Sequence, residues 1–182
     1  MKEIFFKSGY VDGLYNDYDF SKLPNVIVEH CNAHKNENSK VESFTAWALL
    51  NELLNEVTGV GLSGYEVSFS SRGKPLLNGY YVSISHSNGV ITVGCSSVDF
   101  GLDIEVCESV DKYKAVAKKL NVGLNNDLFL KWTEVESQAK LKDKYSAEID
   151  KNVWFNSLYV TINGKKTAIS VSSYEKFKLI EK

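Results

Sequence analysis

Tyr81-Val82-Ser83-Ile84-Ser85-His86-Ser87, then Asn88-Gly89, then Val90-Ile91-Thr92-Val93-Gly94-Cys95-Ser96 is the stretch that decides the fold. Two β-rich runs parted only by Asn-Gly predict a tight hairpin, because both central positions of a type I′ turn need φ > 0. The turn sets the register, so Ser87 faces Val90, His86 faces Ile91 and Ser85 faces Thr92. A donor-rich Ser-His-Ser patch is then expected at the closed end of the hairpin, where it can meet a ligand. A little further on, Gly101-Leu102-Asp103-Ile104-Glu105 reads as a strand. Side chains alternate across a strand, which puts Asp103 and Glu105 on one face and Leu102, Ile104 and Val106 on the other. Like charges that close repel unless a cation lies between them or one acid stays protonated. Mg²⁺ suits such a place, since it is held through one or two carboxylates plus substrate phosphates. A phosphorylated ligand and a divalent cation are what these residue types suggest. The plainer alternative is an amphipathic strand with a solvated acidic face.

Working outward, Val41 to Val57 carries apolar residues at Phe44, Trp47, Leu50, Leu54 and Val57, a helical stripe ending before Gly59. Ahead of it, Glu3–Phe6 reads as a strand, Asn25–Cys31 as a short helix and His34–Lys40 as a polar loop. Tyr65–Phe69 alternates as a short strand, followed by the loop Ser70-Ser71-Arg72-Gly73-Lys74-Pro75, in which Pro75 forces extended geometry on Lys74. A helix is predicted from Val110 to Leu120, and a second from about Asp127 to Leu141, with Trp132, Glu136 and Lys140 on one stripe. Glu136 and Lys140 also fit a solvated i,i+4 pair worth about 0.3 to 0.5 kcal/mol. A second Asn-Gly, Asn163-Gly164, parts the β-rich runs 153–162 and 167–173, and a further strand is expected near 176–180. Both returning runs end in Ser-Ser, at Ser96-Ser97 and Ser172-Ser173, and a helix precedes each hairpin. An α+β fold follows: one domain over residues 1–182 in two similar halves, about 1–98 and 99–182. Each half is a helix plus an antiparallel sheet, related by a pseudo-twofold axis with the site between them.

Composition sets bounds. The chain has 182 residues, 43% hydrophobic and 24% charged, and no apolar run long enough for a membrane span. Its first residues carry an acid and no long apolar segment, so no signal peptide is expected and the cytoplasm is. Three cysteines without C-x-x-C spacing, Cys31, Cys95 and Cys107, read as buried free thiols. A net charge of −2 offers no global attraction for nucleic acid, so an anion must be held by local cations.

Taken together, Gly73-Lys74-Pro75, Ser83-Ile84-Ser85-His86-Ser87, Gly101-Leu102-Asp103-Ile104-Glu105 and Trp132-Thr133-x-x-Glu136-Ser137-x-x-Lys140 resemble, in order, the signature of 4′-phosphopantetheinyl transferases of the surfactin-synthetase-activating type. Lys40-Val41-Glu42-Ser43 is similar to that family's basic-x-x-Ser element, so the resemblance spans roughly residues 34–141. It implies an enzyme that moves the phosphopantetheine arm of coenzyme A onto a serine of an apo acyl or peptidyl carrier protein. The reaction uses Mg²⁺, releases 3′,5′-ADP and needs only a monomer. By the same resemblance Asp103, Glu105 and Glu136 are Mg²⁺ ligands, and Lys74, Ser85, His86 and Lys140 meet the coenzyme A phosphates, with Lys40 and Arg72 counted beside them. Glu136, Lys140 and His86 are the catalytic set, with Glu136 also placed to take the serine proton. Two departures are expected to matter: Val135 stands where the family has a lysine, and Leu141-Lys142-Asp143-Lys144 lacks the usual glycine after Lys140. A Mg²⁺-dependent phosphodiesterase or nuclease is one other class, disfavoured because no long Lys/Arg run would track a nucleic-acid strand. A non-catalytic coenzyme A- or carrier-binding homologue is another; transfer activity, not binding, separates it from the enzyme.

Overall fold

In a computed structural model, residues 1–16, 18–125 and 127–182 are described, without the side chains of 13 and 14. The protein is a mixed α+β structure. Strand β1 (Lys2–Tyr10) runs into a single turn, α1 (Val11–Leu14), followed by α2 (Asn25–Asn32) and the long α3 (Glu37–Thr58). A small ribbon, β2 (Val67–Phe69) with β3 (Pro75–Leu77), leads to β4 (Tyr81–Ser87), β5 (Val90–Ser96) and β6 (Phe100–Val106). Then come α4 (Lys114–Leu120), α5 (Asp127–Lys142), the hairpin β7 (Trp154–Ile162) and β8 (Lys165–Ser173), and finally β9 (Phe177–Glu181).

Both Asn-Gly turns form. Asn88 and Gly89 sit at φ 48° and 81°, Asn163 and Gly164 at φ 47° and 74°, which is the geometry a two-residue hairpin loop demands. Ser87 pairs with Val90, His86 with Ile91 and Ser85 with Thr92, as the turn dictates. One sheet has the order β4-β5-β1-β9, the other β6-β8-β7. β9 pairs in parallel with β1, so the chain returns at the end to the sheet in which it began.

Helix α3 starts earlier than its apolar stripe. The Asn36 side chain accepts from the N–H groups of Asn38 and Ser39, capping a helix that takes in most of the expected 34–40 loop. Its apolar face packs Trp47, Leu50 and Leu54 against Val82, Ile91, Val93 and Cys95 of the first sheet. The opposite face of β5 meets the second sheet, where Ile4, Phe6, Phe100, Leu102, Ile104 and Ile169 form another cluster. Strand β5, buried along its whole length, is therefore the slab between the two. Cys31 and Cys95 are buried free thiols, whereas Cys107 is only half-buried, just past the buried strand β6 and before the exposed Glu108 and Ser109. Among the described residues no helix is long and apolar enough to cross a membrane.

Candidate functional site

Alternation along β4 gives its two faces different tasks. Val82, Ile84 and His86 turn toward α3, and Ser83, Ser85 and Ser87 turn toward β6. The β6 amides that β8 does not use need partners once buried. Serine hydroxyls supply them: Leu102 N–H donates to Ser83 Oγ (3.0 Å), Ile104 N–H to Ser85 Oγ (3.3 Å) and Val106 N–H to Ser87 Oγ (3.1 Å). Two of these hydroxyls donate onward, Ser85 to Asp103 Oδ1 and Ser87 to Glu105 Oε2, each at 2.8 Å. The acid pair is thus fixed by the same side chains that join the two sheets.

Helix α5 lies directly on β6, and Gly101 permits it. A Cβ at that position would fall 1.9 Å from the Ser137 carbonyl oxygen and 2.6 Å from the Leu141 nitrogen, both helix backbone. This close approach brings Lys140 over the strand, where its ammonium donates to Asp103 Oδ1 (2.8 Å) and to the Ile84 carbonyl (3.1 Å). Lys140 reaches across to Asp103 instead of back along the helix to Glu136, so the solvated i,i+4 pair does not form. Asp103 is buried, and its Oδ2 has no hydrogen-bond partner.

Burial raises the Glu105 pKa to about 7; the Ser87 hydrogen bond opposes this, and the neighbouring Asp103 charge adds to it. Glu136 is likewise raised, first by burial and then by Asp103, with Lys119 and Lys140 opposing. A carboxylate raised in the folded state holds its proton there longer than in the unfolded chain, so stability falls as pH rises between the two values. The metal-free protein is expected to lose up to roughly 2–3 kcal/mol between about pH 4.5 and 7 from this one residue. Thermal melts across that range, with Glu105→Gln as the variant lacking the slope, check it.

A cleft of about 320 Å³ opens between the β2–β3 turn, β4 and α5, lined among others by Arg72, Lys74, Ser83, Glu136, Lys140 and Tyr145. The Ser70 side chain accepts from Arg72 and Lys74 N–H, and Gly73 at φ 83° completes the turn that presents Lys74. Lys74 is not free in it: its ammonium donates to Asp99 Oδ1 (2.9 Å) and to the Leu141 carbonyl at the end of α5 (3.2 Å). Asp143, at φ 48°, takes the left-handed position that ends α5, a place usually filled by glycine. Val135 is fully buried beside Ala117, Leu120 and Leu128, so position 135 faces the core and not the cleft.

The expected Ser-His-Ser patch is divided. His86 lies on the opposite face of β4 from Ser85, with Nδ1 3.3 Å from Glu42 Oε2, and lines a second cleft of about 200 Å³. Lys40 sits in the first turn of α3, pairs with Glu37 at 3.3 Å, and lines neither cleft. Ser87 belongs to the expected donor patch, but neither its bond to Glu105 nor the parts played by Ser83, Asp99 and Lys119 are foreseen from sequence. The period-2 serines of β4 are a readable signal for Ser83; Asp99 and Lys119 come from distant elements.

Among the described residues no three His, Cys, Asp or Glu side chains converge tightly enough to enclose a metal ion. The donor set nevertheless fits a cation held in part by substrate: Asp103 Oδ2 is a buried acceptor with nothing to accept from, beside two acids raised by burial and by its charge. No protein-family model matches the chain, and no curated protein matches it.

Proposed function

We propose that the protein is a 4′-phosphopantetheinyl transferase, moving the phosphopantetheine arm of coenzyme A to a carrier-protein serine. The observation that carries this is the meeting of Lys140 from α5 with Asp103 from β6 beside a cleft that also holds Glu136, Lys74 and Arg72. Acids and cations from three sequence blocks that resemble the family meet at one place. The two Asn-Gly hairpins support the finer reading of two related halves, about 1–98 and 99–182.

The serine oxygen bonds to the pyrophosphate phosphorus nearer the pantetheine, the bond from that phosphorus to the bridging oxygen breaks, and 3′,5′-ADP leaves with the electron pair. Glu136 takes the hydroxyl proton. Its pKa, raised by burial and by Asp103 against the opposing Lys119 and Lys140 charges, makes it a stronger base than an exposed carboxylate. Lys140 and Lys74 hold positive charge where the departing phosphate gains negative charge. Asp103, Glu105 and Glu136 would hold Mg²⁺, which when bound neutralises pyrophosphate charge. Asp103 meanwhile keeps the Lys140 ammonium in place, and the Ser85 hydroxyl keeps Asp103 in place. The reaction needs coenzyme A and an apo carrier, no nucleic acid and no membrane, and we place the enzyme in the cytoplasm as a monomer.

With coenzyme A, Mg²⁺ and an apo carrier, intact mass spectrometry should show the carrier gaining one phosphopantetheine. No gain on acyl or peptidyl carriers, with folded protein and metal present, overturns the assignment. A binding-only homologue is favoured by one observation, that Lys140 and Lys74 are both already engaged by Asp103 and Asp99; binding without transfer would be its signature.

A further inference from the structure

Asp99, just ahead of β6, is fixed by its neighbours. Val98 and Phe100 are buried on either side of it, and its carbonyl accepts from Ser173 Oγ at 2.7 Å, which leaves the carboxylate facing outward and 37% exposed. Lys74 meets it from the turn opposite. Pro75 keeps Lys74 extended, and the ammonium, only 15% exposed, donates to Asp99 Oδ1 at 2.9 Å and to the Leu141 carbonyl at 3.2 Å. An ammonium has three donors, so two are used and one is left for a ligand.

The pair stands between two clefts. Lys74, Pro75 and Val82 border both the first cleft and a smaller one of about 110 Å³, whereas Asp99 lines the smaller one and not the first. The carboxylate therefore draws the ammonium toward the side away from the first cleft. Arg72, Lys74, Lys140 and Lys144 are permanent cations in the lining of that cleft, and two of them are bound to an acid, Lys140 to Asp103 and Lys74 to Asp99. The two acids differ in what else they can do. Asp103 is buried and has a second oxygen with no partner, so it can turn to a cation. Asp99 lies outside the cleft, and its charge stays on Lys74 whatever enters. An anion that reaches Lys74 meets a cation already offset, with a carboxylate behind it.

We propose that Asp99 is a positioning residue that sets how tightly the first cleft holds an anion, by drawing the Lys74 ammonium to its own side and offsetting its charge. This deepens the reading of that cleft as a coenzyme A site and rests on it. The chemistry gives such a counter-charge a purpose. When the pyrophosphate is split, the departing 3′,5′-ADP gains negative charge, so a lysine with its full charge would hold the product more tightly than the substrate. Asp99 moderates that hold and favours release. The bond from Lys74 to the Leu141 carbonyl, which caps the end of α5, does not depend on Asp99, so the tie to the helix and the tuning of charge can be separated.

Asp99→Asn keeps the shape and removes the charge. Calorimetry with inorganic pyrophosphate in the absence of metal, and separately with coenzyme A and Mg²⁺, should show this variant binding both at least about threefold more tightly than wild type, the scale on which one partly exposed charge acts on another. The gain is Coulombic, so it should shrink in about 1 M salt, where the Debye length falls to about 3 Å. Asp99→Glu should restore affinity to near the wild-type value. In a Lys74→Met background the gain from Asp99→Asn should largely vanish, which tells an action through Lys74 from direct repulsion of the ligand. In the transfer reaction Asp99→Asn should lower KM for coenzyme A without raising kcat. Unchanged or weaker binding by Asp99→Asn, a gain indifferent to salt, or a gain that persists without Lys74 overturns the inference, as does the absence of binding of either probe to wild type and variant alike. Transfer with Asp99→Asn indistinguishable from wild type would sink this inference alone, and tighter, salt-sensitive binding by Asp99→Asn without transfer to any carrier would sink the transferase reading alone.

Discussion

Gly101→Ala is expected to lower the free energy of unfolding by at least about 3 kcal/mol, the upper end of what overpacking costs. The new methyl would stand 1.9 Å from one α5 backbone atom and 2.6 Å from another. A side chain in the way can rotate; helix backbone can only move as a body. Gly94→Ala is the control, because its Cβ would meet the Phe100 ring at 2.9 Å, a side chain able to shift, and it should cost less. Denaturant unfolding of both variants measures the difference. Moving α5 also draws Lys140 and Glu136 away from Asp103, so Gly101→Ala protein that does fold should lose activity beyond its loss of stability. Equal, small costs for the two glycines would show that α5 can pull back without strain.

Glu136→Gln should lower kcat by at least about 10²-fold, the lower end of what a positioned acid or base contributes. Its stability should hold or rise slightly, since the glutamine removes a negative charge from beside Asp103. Lys140→Ala should do the reverse in part. It strips the buried Asp103 carboxylate of its charged partner, which costs about 1–3 kcal/mol in stability, and it lowers kcat/KM for coenzyme A. The double variant should fall short of the sum of the two activity losses, because in the proposed reaction both groups act on one pyrophosphate. Steady-state kinetics with a carrier substrate, together with melts, separates these effects. Near-wild-type turnover in Glu136→Gln refutes its role as the base.

Local chemistry carried much of this structure into view. Asn88-Gly89 and Asn163-Gly164 fixed two hairpins, and alternation along β6 put Asp103 and Glu105 together while Leu102 and Ile104 entered the core. The same alternation parts His86 from Ser85, so the closed hairpin end is two faces and not the single donor patch expected there. Apolar periodicity begins only at Val41 and leaves Lys40 in an expected loop, whereas the Asn36 cap starts the helix before any apolar residue. What no local rule reveals is the partner of each charge. Lys140 meets Asp103, Lys74 meets Asp99, and His86 meets Glu42, across separations that only the folded chain closes.

The serine hydroxyls on the outer side of β6 have a consequence for solubility. A strand with a row of unsatisfied amides is a template on which another chain can add, the usual origin of edge-to-edge aggregation. Here Ser83, Ser85 and Ser87 occupy the amides of Leu102, Ile104 and Val106, so the edge beside the acids is closed to intruding strands without being built into a continuous sheet. A backbone partner would have closed it equally well but would have left no hydroxyls for the carboxylates. Side-chain closure guards the edge and leaves the chemistry next to it in reach.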